Sequence, residues 1–431
     1  MKIDAMHRAF DLATDAAYMA GRLAAPLAGR LGDAELAGLD VPRAMPRKPG
    51  GFMVQYRLPR RGGGELYLYG ILPGEGEDPP AWTADTGHVV RLDDLDLYLP
   101  VFPHDPRLRS LPDVLAADAA DLGIDADAHA PVDVSLLAYR LERRCVLRCR
   151  VDAAAAADGC ASVVVKVVPR SRLDRFVGGH RRLVAAIDGM DIGHELTVPR
   201  LRHVDGDRGF YVMEDVPGQA LYELVSGVDV HDAHARAGRA LCRLHGLPLP
   251  EGPRRTCHDE AAQLADWIGR VAPMFPDVAD RLAAGLARVQ DEIGAADDPD
   301  ASPALIHGDF YDKQILFDGR RITILDTDNL VAGDPAQDLG NFAAHVRLRQ
   351  LQAPGQYRNL AAARHAFLAA YGAANGSVAR RAIWWRRATT LRLAALYALR
   401  PRWRFLVTKL LEEVKAHPSA LDGDRAVGVG S

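Results

Sequence analysis

L-I-H-G-D-F-Y-D-K-Q-I-L-F-D-G-R-R-I-T-I-L-D-T-D-N-L-V-A-G-D-P-A-Q-D, from Leu305 to Asp338, is the stretch on which the rest of the chain hangs. Asp318-Gly319 lies between two short apolar runs, Ile315–Phe317 and Ile322–Leu325. Asp-Gly tolerates the positive φ angles of tight turns, so the pair predicts a β-hairpin with these two residues at its tip. Such a hairpin carries Gln314 and Asp326 to its open end, beside the loop of His307, Gly308 and Asp309. Two carboxylates and an amide oxygen then converge. Hard oxygen donors of this kind suit Mg²⁺, which takes one or two carboxylates together with substrate phosphates. Next comes Gly333-Asp334-Pro335-Ala336-Gln337-Asp338. Asp334 reads as a helix N-cap, Pro335 as the first helical residue and Gln337 as a capping-box partner. Asp338 falls in the first turn, where the helix dipole favours a carboxylate.

The whole chain sets bounds on this reading. Its 431 residues allow two or three units at about 100–200 residues per domain. Hydrophobic residues make up 48% and charged residues 26%, the composition of an ordinary globular protein. Lys and Arg total 53 against 57 Asp and Glu, and a net charge of −4 argues against nucleic acid as partner. No apolar stretch reaches the ~18 residues of a membrane span. Asp4, Arg8 and Asp11 break the apolar core that a signal peptide needs. Five cysteines, an odd number without C-x-x-C, point to reduced thiols and a cytoplasmic setting. Cys145 and Cys149 read as strand residues with no redox or metal role.

Upstream, residues 4–37 predict one or two helices, broken at Pro26. Met53–Leu58, Leu66–Leu72 and His88 to Leu99 read as strands, and Leu111–Leu122 as a helix. Gln55-Tyr-Arg-Leu-Pro-Arg-Arg61 echoes Ala138-Tyr-Arg-Leu-Glu-Arg-Arg144. The echo is either chance in an Arg-rich chain or the mark of a small cap that repeats part of a later β unit. Ser135–Leu141 and Cys145–Val151 predict a hairpin, and Val163-Val-Val-Lys166-Val-Val168 a strand interrupted by one lysine. A lysine there either snorkels from an edge or points at an anion. From Ala220 onward the pattern is mainly helical. Trp384, Trp385, Arg386 and Arg387, with Arg402, Trp403 and Arg404 beyond, offer stacking faces and anion-binding forks. They are either core and solvated face or a place to look for substrate specificity.

The pattern H-G-D-x-x-x-x-(N/Q)-(I/V)-L, a strand ending I-L-D, and then G-D-P-x-x-D-L resembles the aminoglycoside phosphotransferase and choline kinase family. Gln314 stands where most members have Asn, as in the maltokinase-like subgroup. The resemblance implies an α+β, bilobal protein-kinase-like fold with an extra N-terminal cap. The expected units are a cap over 1–128, a β-rich lobe with its hinge over 129–218, and a helical lobe over 219–431. The implied activity is transfer of the γ-phosphoryl group of ATP (or GTP) to a hydroxyl of a sugar, amino sugar or related small alcohol, with Mg²⁺ as cofactor. Asp309 then matches the catalytic base, and Gln314 and Asp326 the metal ligands. Asp328, two residues on, either shares a face with Asp326 and takes a second Mg²⁺ or serves a turn with Asn329. Lys166 matches the strand lysine that holds the α- and β-phosphates. Arg144, with Arg143, either covers the phosphates or is a solvated turn residue. Met213, Glu214 and Val216 match the hinge that binds adenine through main chain. His307 and Asp338 support the loop. His180 falls where the family has a Glu that pairs with the lysine, and this is the main departure. The partners implied are a small hydroxyl acceptor, no nucleic acid and no membrane, for a monomer or homodimer.

Other functions compete. An aminoglycoside O-phosphotransferase would keep the chemistry and change the acceptor. A nucleotide-binding pseudokinase is motivated by the absent helix Glu, and intact Asp309 and Asp326 argue against it. A metal hydrolase built on His307, Asp309 and Asp326 is disfavoured by the lack of H-x-H or H-E-x-x-H spacing among 15 histidines.

Overall fold

The computed structural model describes residues 3–47, 50–74, 82, 87–126, 130–152, 161–225, 229–357, 360–372 and 376–416. The Ala/Asp/Gly stretch after Val151, most of the acidic loop after Pro73 and the C-terminal tail fall outside these residues. The chain begins with α1 (Ile3–Thr14) and α2 (Ala16–Leu23), followed by β1 (Asp40–Pro46), β2 (Phe52–Pro59), β3 (Glu65–Leu72), β4 (Val89–Leu92) and β5 (Leu97–Pro100). Then come α3 (Leu111–Leu115), β6 (Asp133–Arg140), β7 (Arg144–Arg150), β8 (Ser162–Val167), α4 (Arg170–Gly189), β9 (Leu196–Thr197), β10 (Leu201–Asp205), β11 (Phe210–Glu214) and β12 (Gln219–Ala220). The remainder is α5 (Asp229–His245), α6 (Cys257–Val271), α7 (Pro276–Asp291), β13 (Ala304–Ile306), β14 (Ile315–Phe317), β15 (Ile322–Ile324), β16 (Val331–Gly333), α8 (Ala336–Gln352), α9 (Leu360–Tyr371), α10 (Ser377–Ala398) and α11 (Leu406–Lys415). The class is α+β. Two compact units divide the chain: Met1–Gly178 with Arg200–Asp215 and Leu399–Arg404, and Gly179–Pro199 with Val216–Ala398 and Phe405–Ser431.

The first unit holds two five-stranded sheets, ordered β1-β2-β3-β5-β4 and β6-β7-β8-β11-β10. Both run antiparallel throughout, and both insert their fifth strand between the third and the fourth. The strand order is therefore repeated. The sequence echo does not mark that repeat: its first copy lies on β2, a second strand, and its other copy on β6, a first strand. The expected strand from His88 to Leu99 is two strands, β4 and β5, because the polar Asp93–Asp96 turn folds it back with Asp96 at φ 49°. The expected helix from Leu111 to Leu122 stops at Leu115, although Leu122 is still fully buried.

One apolar core serves both sheets. Tyr69 and Ile71 of β3 pack in the same cluster as Leu147 of β7, Val163, Val165 and Val167 of β8, and Phe210 and Val212 of β11. Each such side chain contributes about 1.5–3 kcal/mol on burial. Several polar groups in this core are bonded to one another. The Tyr69 hydroxyl donates to the Tyr139 carbonyl, and Gln55 Nε2 donates to the Tyr69 oxygen at 2.7 Å. Asp105 accepts from the Tyr139 hydroxyl at 2.9 Å and from the Glu142 N–H at 2.8 Å. Cys145 and Cys149 are buried here, and loss of hydration pushes the Cys149 thiol up to about 12, which makes it inert.

The second unit is mostly helical, with a four-stranded sheet ordered β12-β14-β15-β9 and the pair β13-β16. Most residues of α8 and α10 are buried, which is why neither shows a clean amphipathic period. This decides the reading of the Trp/Arg cluster. Trp384 and Trp385 are each 1% exposed, and the Trp384 indole N–H donates to the Val289 carbonyl at 2.9 Å. Arg386 pairs with Glu413 and Arg387 with Glu292. These four side chains are core, although the buried Trp385 indole N–H and Arg387 Nε have no hydrogen-bond partner among the described residues. Among the described residues, no helix is long and apolar enough to cross a membrane.

Candidate active site

β13 delivers His307, Gly308 and Asp309 into a loop pinned by one buried carboxylate. Asp338, in the first turn of α8, is fully buried and accepts from the His307 N–H at 2.6 Å and the Gly308 N–H at 2.9 Å. His245, at the end of α5, places Nε2 3.1 Å from the same carboxylate and Nδ1 2.8 Å from the Tyr371 hydroxyl. Burial alone would raise the Asp338 carboxyl; the His245 hydrogen bond and charge, with His307, overcome it and hold the group below the usual range. His307 is itself saturated: Nε2 faces the Leu325 carbonyl at 2.9 Å, and Nδ1 accepts from the Asp309 N–H at 3.3 Å. A neutral Nε2–H tautomer satisfies both contacts. His307 thus has no nitrogen to give a metal, which removes the hydrolase reading. Gly308 has φ +77°, and a Cβ there would meet the Asn329 carbonyl at 3.3 Å.

Against this order stands Asp309. It is half-buried, and among the described residues its carboxylate makes no hydrogen bond or ion pair. The hairpin brings the next two candidates together. β14 and β15 pair Ile315 with Ile324 and Phe317 with Ile322, and the Leu325 N–H donates to the Gln314 carbonyl at 2.8 Å. Gln314 Nε2 then lies 3.5 Å from Asp326 Oδ2. The turn differs from the two-residue tip that Asp-Gly suggested. It is a four-residue loop, Asp318 to Arg321, in which Asp318 Oδ1 accepts from the Arg320 and Arg321 N–H groups at 2.9 and 2.6 Å, and Gly319 has φ +92°. The open end is unchanged by this.

Asp326 takes a left-handed conformation, φ 57° and ψ 46°, and a 3₁₀ turn over Thr327–Asn329 follows. Asp328 lies in that turn, so the strand periodicity that put it on one face with Asp326 does not apply. α8 starts one residue later than expected, at Ala336. Asp334 Oδ1 accepts from the Ala336 N–H at 2.9 Å, and its carboxylate also takes Arg381. The capping box does not form: Gln337 Nε2 reaches the Gly308 carbonyl at 3.5 Å instead.

In the first unit, Lys166 is 8% exposed on β8, which is flanked by β7 and β11. The edge-strand reading therefore fails. Strand alternation puts Lys166 on the face opposite Val165 and Val167, with its ammonium 5.9 Å from the Tyr211 ring centre. Arg144 begins β7. Beside it Arg143 is held below the ordinary arginine range, first by partial dehydration and then by the charges of Arg172, Arg144 and Arg43. Positive charge is concentrated at this turn. Met213 is buried with Val168, Leu173, Val177 and Tyr211. The Glu214 N–H is already committed to the Arg200 carbonyl at 3.0 Å, whereas the Val216 N–H, in the second unit, is uncommitted among the described residues. His180 has both nitrogens engaged in the second unit: Nε2 lies 2.6 Å from the Pro199 carbonyl and Nδ1 3.1 Å from the Thr327 hydroxyl. The helix position expected to serve the lysine is bonded to the turn between Asp326 and Asp328.

Several supports were not foreseen. Asn341 donates to the Phe310 carbonyl at 2.9 Å, and a bidentate pair joins Arg349 to Asp312 at 2.8 and 3.0 Å, both partners buried. Asp338 and Asn341 stand three residues apart in α8, a spacing that puts them on one face. That pattern was the available signal.

A model of the phosphotransferase enzyme family matches residues 152–415, well over half of the chain, and the chain belongs to that family. It is a small-molecule phosphotransferase, an enzyme that moves a phosphoryl group onto a hydroxyl. No curated protein sequence matches the chain. Among solved structures it is similar to a macrolide 2′-phosphotransferase of Brachybacterium faecium, at 21% identity over 68% of this chain and 96% of that one, with TM-score 0.42. It is also similar to an aminoglycoside phosphotransferase of Streptomyces rimosus, at 21% identity, 66% and 98% coverage, TM-score 0.44. A choline/ethanolamine kinase family protein of Mesorhizobium loti matches at 18% identity, 70% and 92% coverage, TM-score 0.45.

Proposed function

We propose that the protein transfers the γ-phosphoryl group of ATP or GTP to a hydroxyl of a sugar, amino sugar or related small alcohol. The observation that carries this reading is the uncommitted Asp309 carboxylate on a loop whose neighbouring polar groups are all bonded. A carboxylate so held can orient an acceptor hydroxyl and take its proton late in the transfer. Gln314 and Asp326 are the proposed Mg²⁺ ligands. Their oxygen donors fit that ion, and the Gln314 side-chain amide lies beside Asp326, its Nε2 3.5 Å from Oδ2, which supports the assignment. Bound Mg²⁺ would neutralise charge developing on the transferred group. Lys166 and Arg144 are proposed phosphate contacts, supported by the burial of the lysine and the arginine concentration around Arg143. Met213, Glu214 and Val216 are the proposed adenine span, with Val216 offering the N–H.

Gln314 favours a maltokinase-like acceptor class. The mild net charge of −4 favours a neutral or singly charged sugar over a polycationic aminoglycoside. The test is acceptor-dependent release of ADP or GDP across mono- and disaccharides, amino sugars and aminoglycosides. Silence with every acceptor would remove the reading. Asp309→Ala is expected to lower turnover by about 10²–10⁴-fold while nucleotide binding by calorimetry persists. Equal loss of both would contradict the role given to Asp309.

A further inference from the structure

Cys257, His258 and Asp297 lie outside everything described so far. Each offers a ligand atom, and the three atoms all fall within 4.8 Å of one another. Cys257 opens α6 and is buried, while His258 and Asp297 are exposed. The Cys257 Sγ to His258 Nδ1 separation is 3.6 Å. Bonds of about 2.3 Å to sulfur and 2.0–2.1 Å to nitrogen at a tetrahedral angle put the two ligand atoms about 3.6 Å apart. The pair already stands at the edge length of a tetrahedral site.

Asp297 adds an independent observation. The chain has 53 Lys and Arg, and the neighbouring Asp298 pairs with Arg381 at 2.8 Å. Asp297 has no hydrogen bond or ion pair from its side chain among the described residues; it faces the Cys257 thiol instead. Its carboxylate is therefore available to a cation placed between it and the thiol.

We propose that these three side chains form a zinc site, with water as the fourth ligand. A thiolate, an imidazole and a carboxylate together select zinc over magnesium, because sulfur is too soft a donor for the latter. Coordination takes the Cys257 thiol to thiolate and releases its proton to solvent. The ion joins the first turn of α6 to the segment that leads into β13. Arg255, two residues before Cys257, donates its N–H to the Ala332 carbonyl of β16 at 2.8 Å, and β16 pairs with β13. Zinc would thus fasten the two approaches to the strand that carries His307.

The test uses the full chain, stripped with chelator and titrated with Co²⁺ as a spectroscopic probe. The expected result is one equivalent bound, with a thiolate-to-cobalt charge-transfer band that Zn²⁺ bleaches and excess Mg²⁺ leaves in place. Cys257→Ser should abolish the band and Cys242→Ser should keep it. Because Cys257 is buried, His258→Ala and Asp297→Asn at exposed positions provide the second arm. Each should weaken cobalt binding by more than tenfold, since even an outer partner of a metal ligand is worth about 10–100-fold. Absence of the band in the native chain, its survival in Cys257→Ser, or unchanged affinity in both surface variants would overturn the proposal. None of these readouts depends on phosphoryl transfer.

Discussion

Asp338 shows how much one side chain can organise. It holds two main-chain N–H groups and one imidazole with no access to water. Replacing it with Ala leaves two buried donors unsatisfied, at about 1–3 kcal/mol each. Asp338→Ala should therefore lower unfolding free energy by roughly 3 kcal/mol, read by denaturant titration. The pH dependence has a definite sign. The folded carboxyl is depressed, so its stabilisation is complete above the unfolded value, about 3.9, and is lost as pH falls through the folded one. The native chain should lose stability over that acid window and Asp338→Ala should lose less; parallel curves would refute the linkage. His180 acts at a distance from the proposed ligands. Its bond to Thr327 steadies the turn between Asp326 and Asp328. His180→Ala is expected to raise the Mg²⁺ concentration needed for half-maximal activity about tenfold, the worth of one hydrogen bond near 1.4 kcal/mol. A normal Mg²⁺ profile with a lower Tm would make His180 merely a packing residue.

At the scale of elements, the hairpin illustrates what a short pattern conveys. Two apolar runs around Asp-Gly were enough to pair β14 with β15 and to carry Gln314 to Asp326. They did not specify the loop, because Asp318 closes it through its own side chain rather than through a two-residue turn. The start of α8 failed for a similar reason. Gln337 had a local partner available by spacing, but a carbonyl 29 positions away, that of Gly308, claims it. Glycine substitutions separate the two ends of this region. Gly319→Ala, at φ +92° with open space around it, should cost about 1 kcal/mol in stability and leave turnover intact. Gly308→Ala faces both φ +77° and the Asn329 carbonyl, so it should cost more and also reduce turnover. Equal activity in the two variants would count against placing function at the Gly308 end.

For the whole molecule, the shared core of the first unit has a consequence. Residues of β3 pack with those of β7, β8 and β11, so the segment before residue 129 and the lysine-bearing sheet stabilise each other. A chain lacking 1–128 exposes Leu147, Val163 and Val165 to water and should be insoluble or show no cooperative unfolding. A soluble truncated chain with native-like Tm would show that the two sheets are separate domains.

The sequence by itself determined the chemistry-bearing loop, the hairpin, the lysine strand and the helical character that follows, because each is written in contiguous residues with a local period or turn signal. Only the tertiary structure decided that Trp384 and Arg387 are core, that the Glu214 N–H is already taken, and that His180 serves the Thr327 turn. Those outcomes depend on partners far along the chain. A side chain's exposure and its hydrogen-bond partner are settled by what packs against it, and no run of neighbouring residues carries that information.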